Sequence, residues 1–182
     1  MIISIHQPNF MPWNPFFEKI QQSDVFVCLT QCQFEKNGYQ NRFNFNDKWY
    51  TMSVKKGLKP ILDKVYINPK NNWDRIKNSL SEYKSILKEL DKCIGESLVA
   101  TNFCIISNLI DMLNIDTKLK IDYPTELTST ERLVDICVKY GATTYLSGIG
   151  AKEYLNESLF EEKGINVEYQ KVIDKSSILD IL

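Results

Sequence analysis

The six residues from Asp24 to Leu29, DVFVCL, constrain the fold more than any other stretch of this chain. They are apolar, β-branched or aromatic with no polar alternation, the pattern of a strand buried on both faces, and such strands belong in parallel sheets covered by helices. The residues before them read as the start of that arrangement. Met1 to Ile5 forms a short strand, and a loop holds Pro8 and Pro12. A helix then begins near Pro15, with Asn14 as its N-cap. The chain therefore opens β–α–β.

Beyond Leu29, QNRFNF and WYTMSV flank Asn46-Asp47-Lys48 and predict an antiparallel hairpin. Trp73, Ile76, Leu80, Tyr83, Leu87 and Leu90 recur at steps of three and four and predict one long amphipathic helix. A second helix after Gly95 carries Leu98, Asn102, Ile105, Leu109 and Leu113 on one face, and the two are read as a packed pair. Thr117 to Ile121, ATTYL and INVEY are strands, and TSTERLVDICVKYG is a helix opened by a Thr128–Glu131 capping box. The expectation is one α/β domain over 1–182, a mostly parallel sheet flanked by helices, with an inserted β-hairpin and helical pair at about 36–115.

A formal net charge of −1 provides no field to hold nucleic acid or an anionic membrane. No apolar run is long enough for a signal peptide or a membrane span, so a cytoplasmic location is expected. Five cysteines in apolar contexts without paired CxxC spacing read as reduced, buried thiols rather than a disulfide framework or a metal site.

In a parallel sheet, ligands sit beyond the carboxyl ends of the strands. Three segments meet there: His6-Gln7-Pro8-Asn9, Thr128 to Arg132, and Ser147-Gly148-Ile149-Gly150. His6 is the chain's single histidine, a candidate general base with Asn9 as its catalytic companion and Gln7 as a ligand amide. Arg132 is a candidate anion ligand at a helix start. The Ser147, Gly148 and Gly150 loop could approach a phosphate with its backbone, although a simple tight turn explains it equally well. It lacks the third glycine and the acidic ribose ligand of a dinucleotide site, so no cofactor is expected. In QCQFEKNGYQNR, the amides of Gln40 and Asn41 suit sugar hydroxyls, and Lys36 and Arg42 suit phosphate. Tyr39, Phe43 and Trp49 lie among these polar groups as pocket walls, and Trp13 could close another.

Taken in order, IHQPNFMPW, DVFV, QFEKNGYQNR, TERL and YLSGIGAKEYL resemble the WbqC-like family over nearly the whole chain. The resemblance implies a role in bacterial O-antigen, capsule or related surface-polysaccharide formation, with glycyl or other acyl transfer to an amino sugar as the suggested chemistry. It places the family's motifs on His6, Gln7, Pro8 and Asn9, on Gln40, Asn41 and Arg42, and on Ser147 and Gly148. Thr30 and Gln31 stand where the family carries acidic residues, which removes a metal-binding expectation there. The expected partners are a nucleotide-linked or carrier-linked amino sugar and an acyl or aminoacyl donor. Strand–HxxN–helix is also reminiscent of the HxGH signature of nucleotidyltransferases, and a non-catalytic glycan-binding module is the reading from a different class.

Overall fold

The structure is a computed structural model that describes residues 1–172 and 174–182. Five parallel strands form the central sheet: β1 (Ile2–His6), β2 (Val25–Cys28), β5 (Lys118–Ile121), β6 (Thr144–Ser147) and β7 (Asn166–Tyr169). Their spatial order is β5-β2-β1-β6-β7, so the chain starts in the middle, builds outward through β2 and β5, then returns to the other side of β1. That reversal puts a topological switch point between β1 and β6, where open α/β sheets bind ligands.

The sheet is covered on both faces, as DVFVCL requires. Ile3, Ile5, Val25 and Val27 face one core together with Val134, Ile136, Cys137 and Phe160. These last four come from α5 (Ser129–Lys139) and α6 (Ser158–Glu161). Phe26 and Cys28 face the larger core, with Phe16, Phe17 and Ile20 of α1 (Asn14–Gln21) and the apolar stripe of α4 (Leu98–Met112). Alternate residues of one strand thus serve two cores, which is why no polar alternation appears in the sequence.

The segment between β2 and β5 holds the hairpin and the helices. Strands β3 (Arg42–Phe45) and β4 (Lys48–Thr51) pair antiparallel across Asn46 and Asp47, whose φ angles of 49° and 59° are those of a tight primed turn. The predicted long helix is broken. It runs as α2 (Pro69–Ser79), turns out of helical geometry at Leu80 (φ −114°, ψ 53°) and resumes as α3 (Lys84–Glu89). Asn78, Ser79 and Ser81, residue types of lower helix propensity than the leucines and lysines around them, bracket the break. The bend seats Leu80, Leu87 and Leu90 together in the larger core.

Two local expectations are corrected. Helix α1 starts one residue early, with Trp13 rather than Asn14 in the N-cap position. Thr128 makes no capping hydrogen bond at α5; instead Ser129 takes a left-handed φ of 48° and its neighbour Thr130 accepts from the backbone N–H of Asn156 at 3.2 Å. The reading of five reduced thiols is also corrected, because Cys93 and Cys104 form a disulfide that ties the turn before α4 to α4 itself. Cys28, Cys32 and Cys137 remain free thiols.

Candidate functional site

A cleft of about 820 Å³ opens at the carboxyl edge of the sheet, within the range of small-molecule sites. Its floor is the end of β1, its sides are the loop after β2 and the start of α5, and Tyr154 closes the β6 side. Of the residues singled out in the sequence, His6, Gln7, Asn9, Gln40 and Arg132 line it. Lys36, Asn41, Arg42, Ser147, Gly148 and Gly150 do not.

The reasons are local. Asn41 is buried and gives its amide N–H to the Met52 carbonyl at 2.7 Å, which ties the residue before β3 to the residue after β4 and closes the open end of the hairpin. Arg42 turns outward, donates to the Asn37 carbonyl and lies 4.0 Å from the Trp49 ring centroid. Lys36 is exposed on the loop before it. Ser147 is buried within β6, and an added Cβ at Gly148 or Gly150 would meet no protein atom within 4 Å, so no backbone packing requires glycine there.

His6 ends β1 with its ring edge-on to Phe16, 5.2 Å away. Its Nδ1 donates to the Gln7 carbonyl at 2.9 Å, which fixes the tautomer and leaves Nε2 as an acceptor. Burial and the nearby Lys19 ammonium push the imidazole down to about 4, so it is neutral at physiological pH. Lys19 was not legible as a site residue. It is 3% exposed on the apolar face of α1, donates to the Ile5 carbonyl at 2.9 Å, and burial lowers it to about 8. The signal was a lysine set between Phe17 and Ile20.

A relay of amides runs from the loop into the cleft. Gln40 donates to the Gln7 side-chain oxygen, and Gln7 in turn donates to the Cys32 sulfur at 3.3 Å. Burial, opposed in part by that hydrogen bond, raises the Cys32 thiol to about 11 and leaves it protonated. The relay is anchored from behind by Asn102 of α4, fully buried, whose amide N–H groups reach the carbonyls of Pro8 and Gln40, each at 2.7 Å. Its oxygen accepts from Tyr66 at 2.7 Å. One amide therefore latches the His6–Asn9 loop to the Gln40 loop, and its trace in the sequence is an asparagine inside the α4 stripe.

Asp122, immediately after β5, is the second hub. It accepts from the Thr30 hydroxyl at 2.6 Å, the Thr30 N–H at 2.9 Å and Arg132 at 3.3 Å. Arg132 also meets Asp135 at 3.2 Å and donates to the Tyr123 carbonyl. Its charge is thus already matched by two carboxylates, and it builds the cleft wall rather than offering a free cation. Among the described residues no cluster of three or more His, Cys, Asp or Glu is placed to hold a metal ion, and no helix is long and apolar enough to cross a membrane.

A doubly wound sheet with an amide-lined cleft at its switch point defines the class, an α/β protein with a polar cleft of small-molecule size. Residues 7–177 match the WbqC-like protein family, and the chain belongs to it. It is 26% identical over 186 residues to the uncharacterized protein Rv1507c of Mycobacterium tuberculosis, a match spanning 92% of this chain and 80% of that relative. No solved structure matches.

Proposed function

We propose that the protein is an acyl or aminoacyl transferase, of the glycyl type, that acts on an amino sugar in bacterial surface-polysaccharide formation. One observation carries the reading: His6 is held by its Nδ1–H so that a neutral Nε2 is left as acceptor beside a cleft lined with amides and hydroxyls. An amine nucleophile must give up a proton when it attacks an acyl carbon. In this reading the sugar nitrogen bonds to the acyl carbon and the carbonyl electron pair moves onto oxygen, where the Asn9 amide donates to it. The proton passes from the ammonium to Nε2, the bond from acyl carbon to the donor breaks, and the proton leaves with the donor's leaving group. Gln7, Gln31 and Gln40 suit the sugar hydroxyls. Lys36 and Arg42 lie outside the cleft, so a phosphate of the carrier is assigned instead to the first turn of α5, where Ser129 and Thr130 line the wall. We place this activity in the cytoplasm, where nucleotide-linked sugars and acyl donors are made.

The test pairs nucleotide-linked amino sugars with acyl-CoA and aminoacyl donors and detects product by mass. His6→Gln is expected to lower turnover about 100-fold or more while substrate affinity holds, in line with the share of a general base. Undiminished turnover would sink the role. The position of α5's N-terminus beside the switch point favours nucleotidyl transfer as a second reading, marked by pyrophosphate release from a nucleoside triphosphate. Sugar binding unchanged in His6→Gln, with no product from any donor, identifies a binding module.

A further inference from the structure

A second, smaller pocket of about 280 Å³ adjoins the cleft, and the two share Asn9 and Tyr39 in their walls. Three large aromatic side chains stand half-exposed around this hollow: Trp13 at 47%, Tyr39 at 55% and Trp49 at 42%. Large aromatics left in water around one concavity mark a binding site more often than a packing defect. The protein also holds two of them, Tyr39 and Trp49, in place. The Arg42 guanidinium covers one face of Trp49, and Tyr39 contacts the same indole at 5.6 Å between ring centroids.

We propose that this pocket is a second subsite that seats a pyranose ring joined to the amino sugar in the main cleft. The acceptor is then the end of an oligosaccharide rather than one sugar. The placing of the amino sugar rests on the transferase reading; the pocket's own evidence does not. A pyranose presents a flat C–H face that packs on an aromatic ring and a rim of hydroxyls that need polar partners. The walls supply both, with the amides of Asn9 and Asn44 and the hydroxyls of Ser176 and Ser177 beside the aromatics. No lining residue is acidic and Lys175 adds an ammonium, which suits a neutral or acidic sugar. A nucleobase fits less well, because Tyr39 and Trp49 are tilted by 50° and offer no parallel slot for a flat ring. The volume admits one ring.

Calorimetric titration of the full chain decides the matter, with N-acetylglucosamine, its β-1,4-linked disaccharide, a glucuronate-containing disaccharide and UMP as probes. Tryptophan emission gives a parallel signal, since Trp73 is buried and Trp13 and Trp49 flank the pocket. A disaccharide is expected to bind about tenfold more tightly than the single sugar. That gain should vanish in Trp13→Ala and in Trp49→Ala, while affinity for the single sugar and melting temperature stay as in the parent. Single-sugar binding with no disaccharide gain, or a gain that survives both variants, overturns the subsite and leaves the transferase reading standing. A response to UMP alone assigns the pocket to a base and overturns it as well. Silence to every sugar overturns both readings.

Discussion

Arg132 and Asp122 form a buried ion pair, 3.3 Å apart, with the arginine 5% and the aspartate 7% exposed. The pair spans the end of β5 and the first turns of α5, and Thr30 brings the loop after β2 onto the same carboxylate. Removing one partner of a buried pair strands the other charge. Asp122→Ala is therefore expected to cost about 3–5 kcal/mol of folding stability in urea unfolding, toward the lower end because Asp135 still faces Arg132. A loss below about 1 kcal/mol would show that water reaches the pair.

Asn102 offers a sharper test, since its two donors and one acceptor are all used. Asn102→Ala leaves the Pro8 carbonyl without its donor, at about 1–3 kcal/mol for a buried group left unpaired, and leaves the Gln40 carbonyl with the Tyr66 hydroxyl alone. Asn102→Asp keeps the acceptor for Tyr66 but sets a carboxylate against two carbonyls, so it should be at least as damaging as alanine. An aspartate variant as stable as the parent would refute the latch.

The single histidine makes its titration readable without assignment, because the imidazole ring contributes one set of NMR signals. The expected midpoint is about 4, against 6.5 in the unfolded chain. Between those values the unfolded state binds more protons, so stability is fully present above pH 6.5, falls as pH drops, and levels off below pH 4. The ring is only partly buried, so water screens some of the effect and the loss is about 1–3 kcal/mol. His6→Gln should remove this slope, and Lys19→Met should raise the His6 midpoint because the nearby positive charge is gone. A parent midpoint at 6.5 would contradict the site.

Cys32 is a built-in reporter of cleft occupancy. Cys28 and Cys137 are buried, whereas Cys32 is half-buried and lines the cleft. Iodoacetamide should label Cys32 first, slowly at pH 8 and faster as pH rises toward about 11, where the thiol ionises. A ligand seated in the cleft should protect it, as peptide mass mapping would show. Equal labelling of Cys28 and Cys32 would mean the native packing had opened.

Much of the fold was legible because strand and helix periodicities are local. DVFVCL, the hairpin around Asn46-Asp47 and the strands ATTYL and INVEY all fall where the pattern puts them. The break at Leu80 was not, because the apolar stripe runs unbroken through it and only tertiary packing chooses the bend. The site was legible where the carboxyl ends of β1 and the start of α5 meet, which brought in His6, Gln7, Asn9 and Arg132. It was illegible where a charge had to find its partner across the chain. Nothing near Arg132 in sequence says that Asp122 neutralises it, and nothing near Arg42 says that it stacks on Trp49 rather than on a phosphate.

The chain's final residues close over its first helix. Ser176 accepts a hydrogen bond from the Asn14 N–H, and Ile178 and Leu179 are buried in the larger core. Lys175, Ser176 and Ser177 form one wall of the aromatic pocket, opposite residues translated more than a hundred codons earlier. The two walls of this pocket therefore meet only once residues 175–177 have folded back against the start of α1. A protease that nicks the chain after Tyr169 would detach that wall together with Ile178 and Leu179, and so would loosen the larger core as well as open the pocket.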